Sequence, residues 1–292
     1  MTHRSLGSDS AWPAPAKLNL FLHIVGRRAD GYHLLQTAFQ FIDLSDQLHF
    51  YQRPAGVIER LAGPTSVAPE QDLVIRAARA LADQANQRVG VAIELIKHIP
   101  MQAGLGGGSS DAATTLVALN RLWSLGLSVD QIADLGLKLG ADVPVFVRGH
   151  AAWADGVGEL LTPLDLPEPW YLVIQPPVSV STAEIFQSSE LTRDTPVTTI
   201  RAFRAGHGRN DCTEAVCVRY PEIAQALDWL GQFAEARLTG TGACIFANFA
   251  EQAHAERVIA QLPAKIGRGF VVKGINHSPL LRRLHQEQAW SA

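Results

Sequence analysis

PMQAGLGGGSSDAA, residues 100–113, is the stretch on which the reading of this chain turns. Gly104, Gly106, Gly107 and Gly108 crowd one short loop, and Ser109 and Ser110 follow. Beyond them Ala112, Ala113, Leu116, Leu119, Leu122 and Trp123 recur at three- and four-residue spacing. That spacing predicts a helix over 111–123. A glycine-rich loop therefore runs straight into a helix N-terminus. Glycine lets backbone approach a ligand closely and take positive φ. The first-turn N–H groups lack helical partners, and the dipole adds about half a positive charge there. Such a place holds phosphate. The plain alternative is a turn with Ser109 or Ser110 as N-cap. A turn needs only one or two glycines, and this loop has four. It carries neither the Gly-Lys-Ser/Thr of a Walker loop nor the spacing of the dinucleotide fingerprint. With no lysine inside the loop, a neutralising cation must come from elsewhere.

Residues 16–25 supply one. Ala16, Leu18, Leu20, Leu22 and Ile24 fall on one face of an alternating pattern, and Lys17, Asn19, Phe21 and His23 on the other. The period is that of a strand with its leucine face buried. It presents Lys17 and Asn19 together on rigid scaffold, where a functional ammonium is best placed. A strand lysine otherwise belongs to a solvated face.

Outward from these two stretches the chain reads as mixed elements. Asp30-Gly31 signals a turn, followed by Tyr32 and His33. Residues 34–48 read as one or two strands, and 54–69 as a loop or irregular hairpin. Asp72 caps a helix through Leu73, Ile75, Ala77, Ala80 and Leu81, and 89–99 is a strand feeding the glycine loop. Ser128 caps a second helix that ends at Gly140. Asp142 follows immediately; it is an ordinary turn residue unless it faces the loop. Residues 151–163 read as a hairpin, and two prolines mark a boundary within 164–170. A strand over 171–175, a polar piece over 178–186 and a Thr/Arg-rich connection over 188–209 come next. Helices over 221–233 and 251–261 flank RLTGTGACIFANFA, residues 237–250, and 270–275 is a closing strand. Without strict βα alternation the class is α+β.

Composition narrows the function. The 292 residues are 47% hydrophobic and 18% charged, with a net charge of −3 and no basic block, which argues against a nucleic-acid partner. No apolar run has membrane-spanning length. Cys212, Cys217 and Cys244 lack paired-ligand spacing and read as packed free thiols of a reducing, cytoplasmic compartment. Residues 1–11 are polar and read as a flexible tail.

PAKLNLFLHI (15–24), PMQAGLGGGSSDAA (100–113) and LTGTGACIFA (238–247) resemble the three ordered motifs of the GHMP kinase superfamily. Its members act on galactose, homoserine, mevalonate, phosphomevalonate and relatives. GRRADGYHLLQT (26–37) and GADVPVFVRGHAAWADGVGE (140–159) are similar to one branch, whose acceptor is a cytidine diphosphate conjugate of methylerythritol. The likeness runs from residue 12 to about 284. It implies a two-lobed α+β GHMP kinase fold. The N-terminal lobe (12–165) would be ribosomal protein S5 domain 2-like, and the C-terminal lobe (166–284) ferredoxin-like. The implied reaction moves the γ-phosphoryl of ATP to the 2-hydroxyl of that conjugate, a step of the non-mevalonate isoprenoid pathway. Gln102 departs from the motif, where Gly or Ala often stands; its side chain must turn away from the phosphates.

The resemblance also implies roles. Pro100, Met101, Gln102, Ala103, Gly104, Leu105, Gly106, Gly107, Gly108, Ser109 and Ser110 would form the triphosphate loop. Lys17 is similar to the family's active-site lysine. Asp142 is similar to its catalytic aspartate, which accepts the hydroxyl proton. Lys17 within ~4–6 Å of Asp142 would favour the charged carboxylate. Asn19 would hydrogen-bond the acceptor. Tyr32 and Phe186 resemble the pair that stacks on cytosine, and His33 the residue that reads its edge. Thr239, Gly240, Thr241 and Gly242 would back the glycine loop and line the cleft. Mg2+ would ride mainly on the ATP phosphates, without a carboxylate cage. Two rival readings remain: a homoserine or mevalonate type of kinase, which has no use for Gly31-Tyr32-His33 as a cytosine clamp, and a nucleotide-binding sensor, which needs neither Lys17 nor Asp142.

Overall fold

The computed structural model describes residues 4–8, 10–29, 31–85 and 88–290. Its spine is a long antiparallel hairpin of β1 (Trp12–Arg27) and β2 (His33–Gln52), with Trp12 opposite Leu48 and Arg27 opposite His33. The alternation in β1 predicts one buried face, yet Lys17, Phe21 and His23 are buried as well. The reason is cover on both sides. Leu22 and Ile24 enter the core of the second lobe, while Phe21 packs against Trp153 and Phe203. The hairpin turn is built by Gly31 (φ +92°), whose N–H donates to the Arg28 carbonyl. Asp30, the other half of the turn signal, lies outside the described residues.

Residues 34–48 belong to one continuous strand rather than two. Within 54–69 lies a short strand, β3 (Ile58–Ala62), parallel to β4 (Val91–Ile96), which in turn runs antiparallel to β2. Helix α1 (Leu73–Ala82) starts where expected, the Asp72 side chain accepting from Val74 N at 3.1 Å. Helix α2 (Gly107–Leu122) starts earlier than the periodicity suggests. Gly106, in the left-handed region, stands at its N-cap, so Ser109 and Ser110 lie inside the first turn and cap nothing. Helix α3 (Val129–Leu137) opens on the Ser128 capping box but closes before Gly140, which is not left-handed. Helix α4 (Val143–Arg148) follows, with Asp142 at its N-cap. Strands β5 (Ala152–Asp155) and β6 (Leu160–Pro163) make the expected hairpin, and β5 pairs with β2.

The second lobe centres on β7 (Trp170–Gln175), antiparallel to both β9 (Ile245–Phe249) and β10 (Arg268–Ile275). Strand β8 (Arg237–Leu238) adds to β9. Helices α5 (Thr182–Gln187), α6 (Ile200–Arg204), α7 (Thr213–Arg219), α8 (Pro221–Gly231) and α9 (Gln252–Ile259) complete it. The end of β10 crosses to the first lobe, where Gly274 and Ile275 pair with Ile42 and Phe41 of β2. One sheet therefore runs through both lobes in the order β3-β4-β2-β10-β7-β9-β8. Ala16, Leu18 and Ile42 meet Tyr171, Val173 and Phe246 in a buried cluster at the junction. Full burial of each large apolar side chain is worth roughly 1.5–3 kcal/mol, so this seam holds the lobes firmly together.

Helix α10 (Pro279–Trp290) has no counterpart in the sequence reading. It returns to the first lobe, burying Leu280 in that core and laying Arg283 over the Trp12 ring at 4.3 Å. The polar segment 1–11 is not a free tail where it is described. Leu6 N donates to Phe50 O at 2.8 Å, and Ser8 N to the Glu287 carboxylate at 3.1 Å. Backbone pairing at a sheet edge makes no demand on side-chain polarity, so composition hid it. Cys212 and Cys244 are buried and Cys217 half-buried, all free. Burial pushes the Cys212 thiol up to about 12, which makes it inert.

Candidate active site

A cavity of about 1520 Å³ opens between the lobes. Single-ligand pockets span roughly 300–1,000 Å³, so this one has room for two substrates. Its walls bring together Lys17, Asn19, the loop 100–109, Asp142, Phe186 and Gly240–Gly242.

The glycine loop is shaped by close approach. A Cβ on Gly104 (φ +75°) would stand 2.3 Å from the Thr239 carbonyl oxygen, and one on Gly106 (φ +72°) 2.8 Å from Phe146 Cζ. Only glycine fits both places. The first contact also shows the 239–242 stretch backing the loop, as expected, with Cys244 N donating to Ala103 O at 3.0 Å. Gln102 takes φ +53° and is exposed. That left-handed conformation suits the glycine, though not the alanine, that often stands at this place in the motif. Ser110 N donates to Gly106 O at 2.9 Å. The amides of Gly107, Gly108 and Ser109 therefore form the first turn that helix geometry leaves open, and all three residues line the cavity.

Lys17 reaches this loop from β1. Its Nζ donates to Asn19 Oδ1 at 2.5 Å and to Gly104 O at 2.9 Å, and stands 3.4 Å from Asp142 Oδ2. It lies 5.6 Å from the Phe39 ring centroid. The lysine side chain is 3% exposed and the aspartate 35%, so the ammonium is fixed from within while the carboxylate stays open to a ligand. Asn19 is held in turn: its Nδ2 donates to Thr37 Oγ1 at 3.0 Å, and its amide to Thr239 Oγ1 at 3.0 Å. A cation, a carboxylate and an open helix terminus thus share one wall. That set is suited to holding a polyphosphate and taking a proton beside it.

At another end of the cavity the rings are arranged differently from the expectation. Phe186 stacks on His33, centroids 5.0 Å apart and planes at 20°, rather than facing Tyr32. Tyr32 is 66% exposed at the rim. Two rings in contact leave no space for a base between them, while Phe186 also packs against the second-lobe core and lines the cavity. His33 Nε2 is buried without a hydrogen-bond partner. Burial, then Arg193 and Arg27, hold its imidazole below the usual histidine value. A neutral ring keeps one donor and one acceptor for a ligand.

Two expected site residues do not reach the wall. Ser110 and Thr239 are fully buried; Thr239 Oγ1 joins Asn19 N to the Gly104 carbonyl instead. The sequence reading missed several wall residues. Thr37 and Phe39 alternate on β2 beneath Lys17 and Asn19, a signal present in the pattern LLQTAFQF. Lys97, at the end of the strand entering the loop, is paired with Asp46 and, at 2.7 Å, with Asp111. Asp46 Oδ1 accepts from His98 N (2.6 Å) and Ile99 N (2.8 Å), which pins the loop's entry. Burial, and then Asp46, push the Asp111 carboxyl well above the usual range, against the pull of Lys97. Burial alone would lower the Lys97 ammonium, but Asp111 and Asp46 outweigh it and hold it above the ordinary lysine value.

Residues 72–150 match the GHMP kinases N-terminal domain, and residues 199–268 the GHMP kinases C-terminal domain. The 4-diphosphocytidyl-2-C-methyl-D-erythritol kinase of Nitrosococcus oceani is 58% identical over 270 residues, 92% of this chain and 96% of that one. The chain belongs to the GHMP kinases. Within the GHMP kinases, the protein of the same name from Alkalilimnicola ehrlichii is 56% identical over 95% of each chain. A crystal structure of 4-(cytidine 5'-diphospho)-2C-methyl-D-erythritol kinase superposes with a TM-score of 0.79 at 33% identity, covering 91% of this chain and all of that one. The first GHMP domain match spans Asp72, the glycine loop and Asp142; Lys17, on β1, lies ahead of it.

Proposed function

We propose that this GHMP kinase transfers the γ-phosphoryl of ATP to the 2-hydroxyl of 4-diphosphocytidyl-2-C-methyl-D-erythritol, a step toward isoprenoid precursors. We assign the walls of its cleft to the lobes 12–165 and 166–284, the last residues of the second, 279–284, turning back onto the first. The observation that carries the reading is the convergence of Lys17 and Asp142, 3.4 Å apart, at the open N-terminus of α2. Phosphoryl transfer is mostly positioning and charge stabilisation, and this corner supplies both.

The chemistry follows from the residues. Amides of the glycine loop hold the triphosphate, with the helix dipole behind them. Lys17 Nζ neutralises charge on the transferring group while keeping Asp142 in place. Asp142 takes the proton of the acceptor hydroxyl as its oxygen bonds to the γ-phosphorus. The bond from that phosphorus to the β–γ bridging oxygen breaks, and ADP departs with the electron pair. Mg2+ would ride on the ATP phosphates and offset their charge; Asp142, partly exposed on the same wall, would be the carboxylate beside it. Asn19 orients the acceptor. At the far end cytosine stacks on Phe186, with His33 reading its edge and Tyr32 at the rim; base–aromatic stacking is worth roughly 1–3 kcal/mol. The partner is thus a small molecule, and we place the reaction in the cytoplasm. Among the described residues no helix is long and apolar enough to cross a membrane.

The test is a panel of acceptors with ATP, read as ADP release: the cytidyl conjugate, homoserine, mevalonate and galactose. Turnover confined to the cytidyl conjugate is the expected result. Comparable turnover of homoserine or mevalonate would replace the acceptor. ATP binding without ADP release on any acceptor would make the protein a nucleotide sensor.

A further inference from the structure

Three cations line the cavity among the described residues: Lys17, Arg27 and Lys97. Two are already matched to carboxylates, Lys17 to Asp142 and Lys97 to Asp46 and Asp111. Arg27 is different. Its Nε donates to the Gly31 carbonyl at 3.0 Å, and its two terminal nitrogens meet no carboxylate among the described residues. That bond places the guanidinium over the β1–β2 turn. Arg27 pairs with His33 across the ladder, so the cation sits at the end of the cavity where His33 stacks on Phe186. Its field reaches that ring, since Arg27 is one of the groups, after burial and Arg193, that depress the His33 imidazole. Arg193 itself spends its guanidinium on the carbonyls of Phe186, Ser188 and Leu191 and is not on the wall.

We propose that Arg27 is a specificity-determining residue that binds the diphosphate joining cytidine to the acceptor alcohol. A planar guanidinium presents parallel N–H donors that match phosphate oxygens. A diphosphate arriving beside His33 and Phe186 needs such a partner, because the other two cations are occupied at the chemistry and at the loop. Kinases whose acceptor carries no diphosphate have no use for it. The inference rests on the acceptor proposed above.

The experiment measures binding of cytidine, CMP and CDP, together with steady-state kinetics on ATP and the cytidyl acceptor. Wild type, Arg27→Ala and Arg27→Lys are compared. Arg27→Ala is expected to raise KM for the acceptor about tenfold, the lower end for a charged hydrogen bond at an exposed site, and to leave KM for ATP unmoved. It should also flatten the preference for CDP over cytidine while cytidine binds as before, with Arg27→Lys between the two. An unchanged KM in Arg27→Ala, or a loss of cytidine binding equal to that of CDP, overturns the role. A wild type inactive on the cytidyl acceptor overturns the acceptor reading instead, so the two failures are told apart.

Discussion

The carbonyl oxygen of Gly104 accepts a hydrogen bond from Lys17 Nζ at 2.9 Å, tying the glycine loop to the first strand. The same ammonium faces Asp142, so loop, cation and carboxylate are set by one side chain. Chemistry and binding can therefore be separated at Asp142. Asp142→Asn keeps the shape of the wall but cannot take a proton. Turnover is expected to fall by about 10²–10⁴, with the ATP dissociation constant near that of wild type. Steady-state rates beside calorimetric ATP titration check this. Near-normal turnover would remove Asp142 from the reaction.

Gln102 holds a left-handed φ of +53°, which costs a residue with a Cβ roughly 1–2 kcal/mol. Gln102→Gly relieves that cost and gives back part of it as unfolded-chain entropy; Gln102→Ala relieves nothing. The glycine variant is expected to be more stable than the alanine variant by about 1 kcal/mol in urea unfolding. Equal midpoints would mean that the loop relaxes to another conformation.

Lys97 lies between two buried carboxylates, Asp46 and Asp111. Removing it leaves like charges facing each other out of water. Lys97→Met is expected to lose about 3–5 kcal/mol near neutral pH. Part of the loss should be recovered in acid, because Asp111, already pushed up by burial, takes a proton first. Urea unfolding at two pH values measures both, and a pH-independent loss would contradict the account.

Much of this was legible in the sequence because the signals are local. Glycine spacing, the period-2 pattern of β1, the Asp72 and Ser128 caps and the β5–β6 turn all act within a few residues. What escaped depends on distant partners. The start of α2 moved to Gly107 because a left-handed Gly106, not a serine, stands at its N-cap. Burial of both faces of β1 needed a second lobe to cover Leu22 and Ile24. The stack of Phe186 on His33 was not foreseen, since ring packing depends on where α5 sits against the hairpin. Arg4–Leu6 pair through backbone, which composition does not report.

Three histidines are held below the ordinary value: His23 by burial and Arg209 against the pull of Asp211, His33 by burial, Arg193 and Arg27, and His150 by burial and His277 against Asp165. In each case the unfolded chain, with a histidine pKa of about 6.5, takes up a proton before the folded chain does. Their contribution to stability is therefore complete above about pH 6.5 and is lost as pH falls through that value toward the lower folded pKa. Urea midpoints should be flat between about pH 6.5 and 8 and decline below about pH 6.5, before ordinary carboxylates titrate. His23 is the most buried of the three, and its Nδ1 has no hydrogen-bond partner. His23→Gln, which cannot take a proton, should make the decline shallower whatever it does to the neutral-pH midpoint. An unchanged slope in that variant would assign the acid sensitivity to other groups.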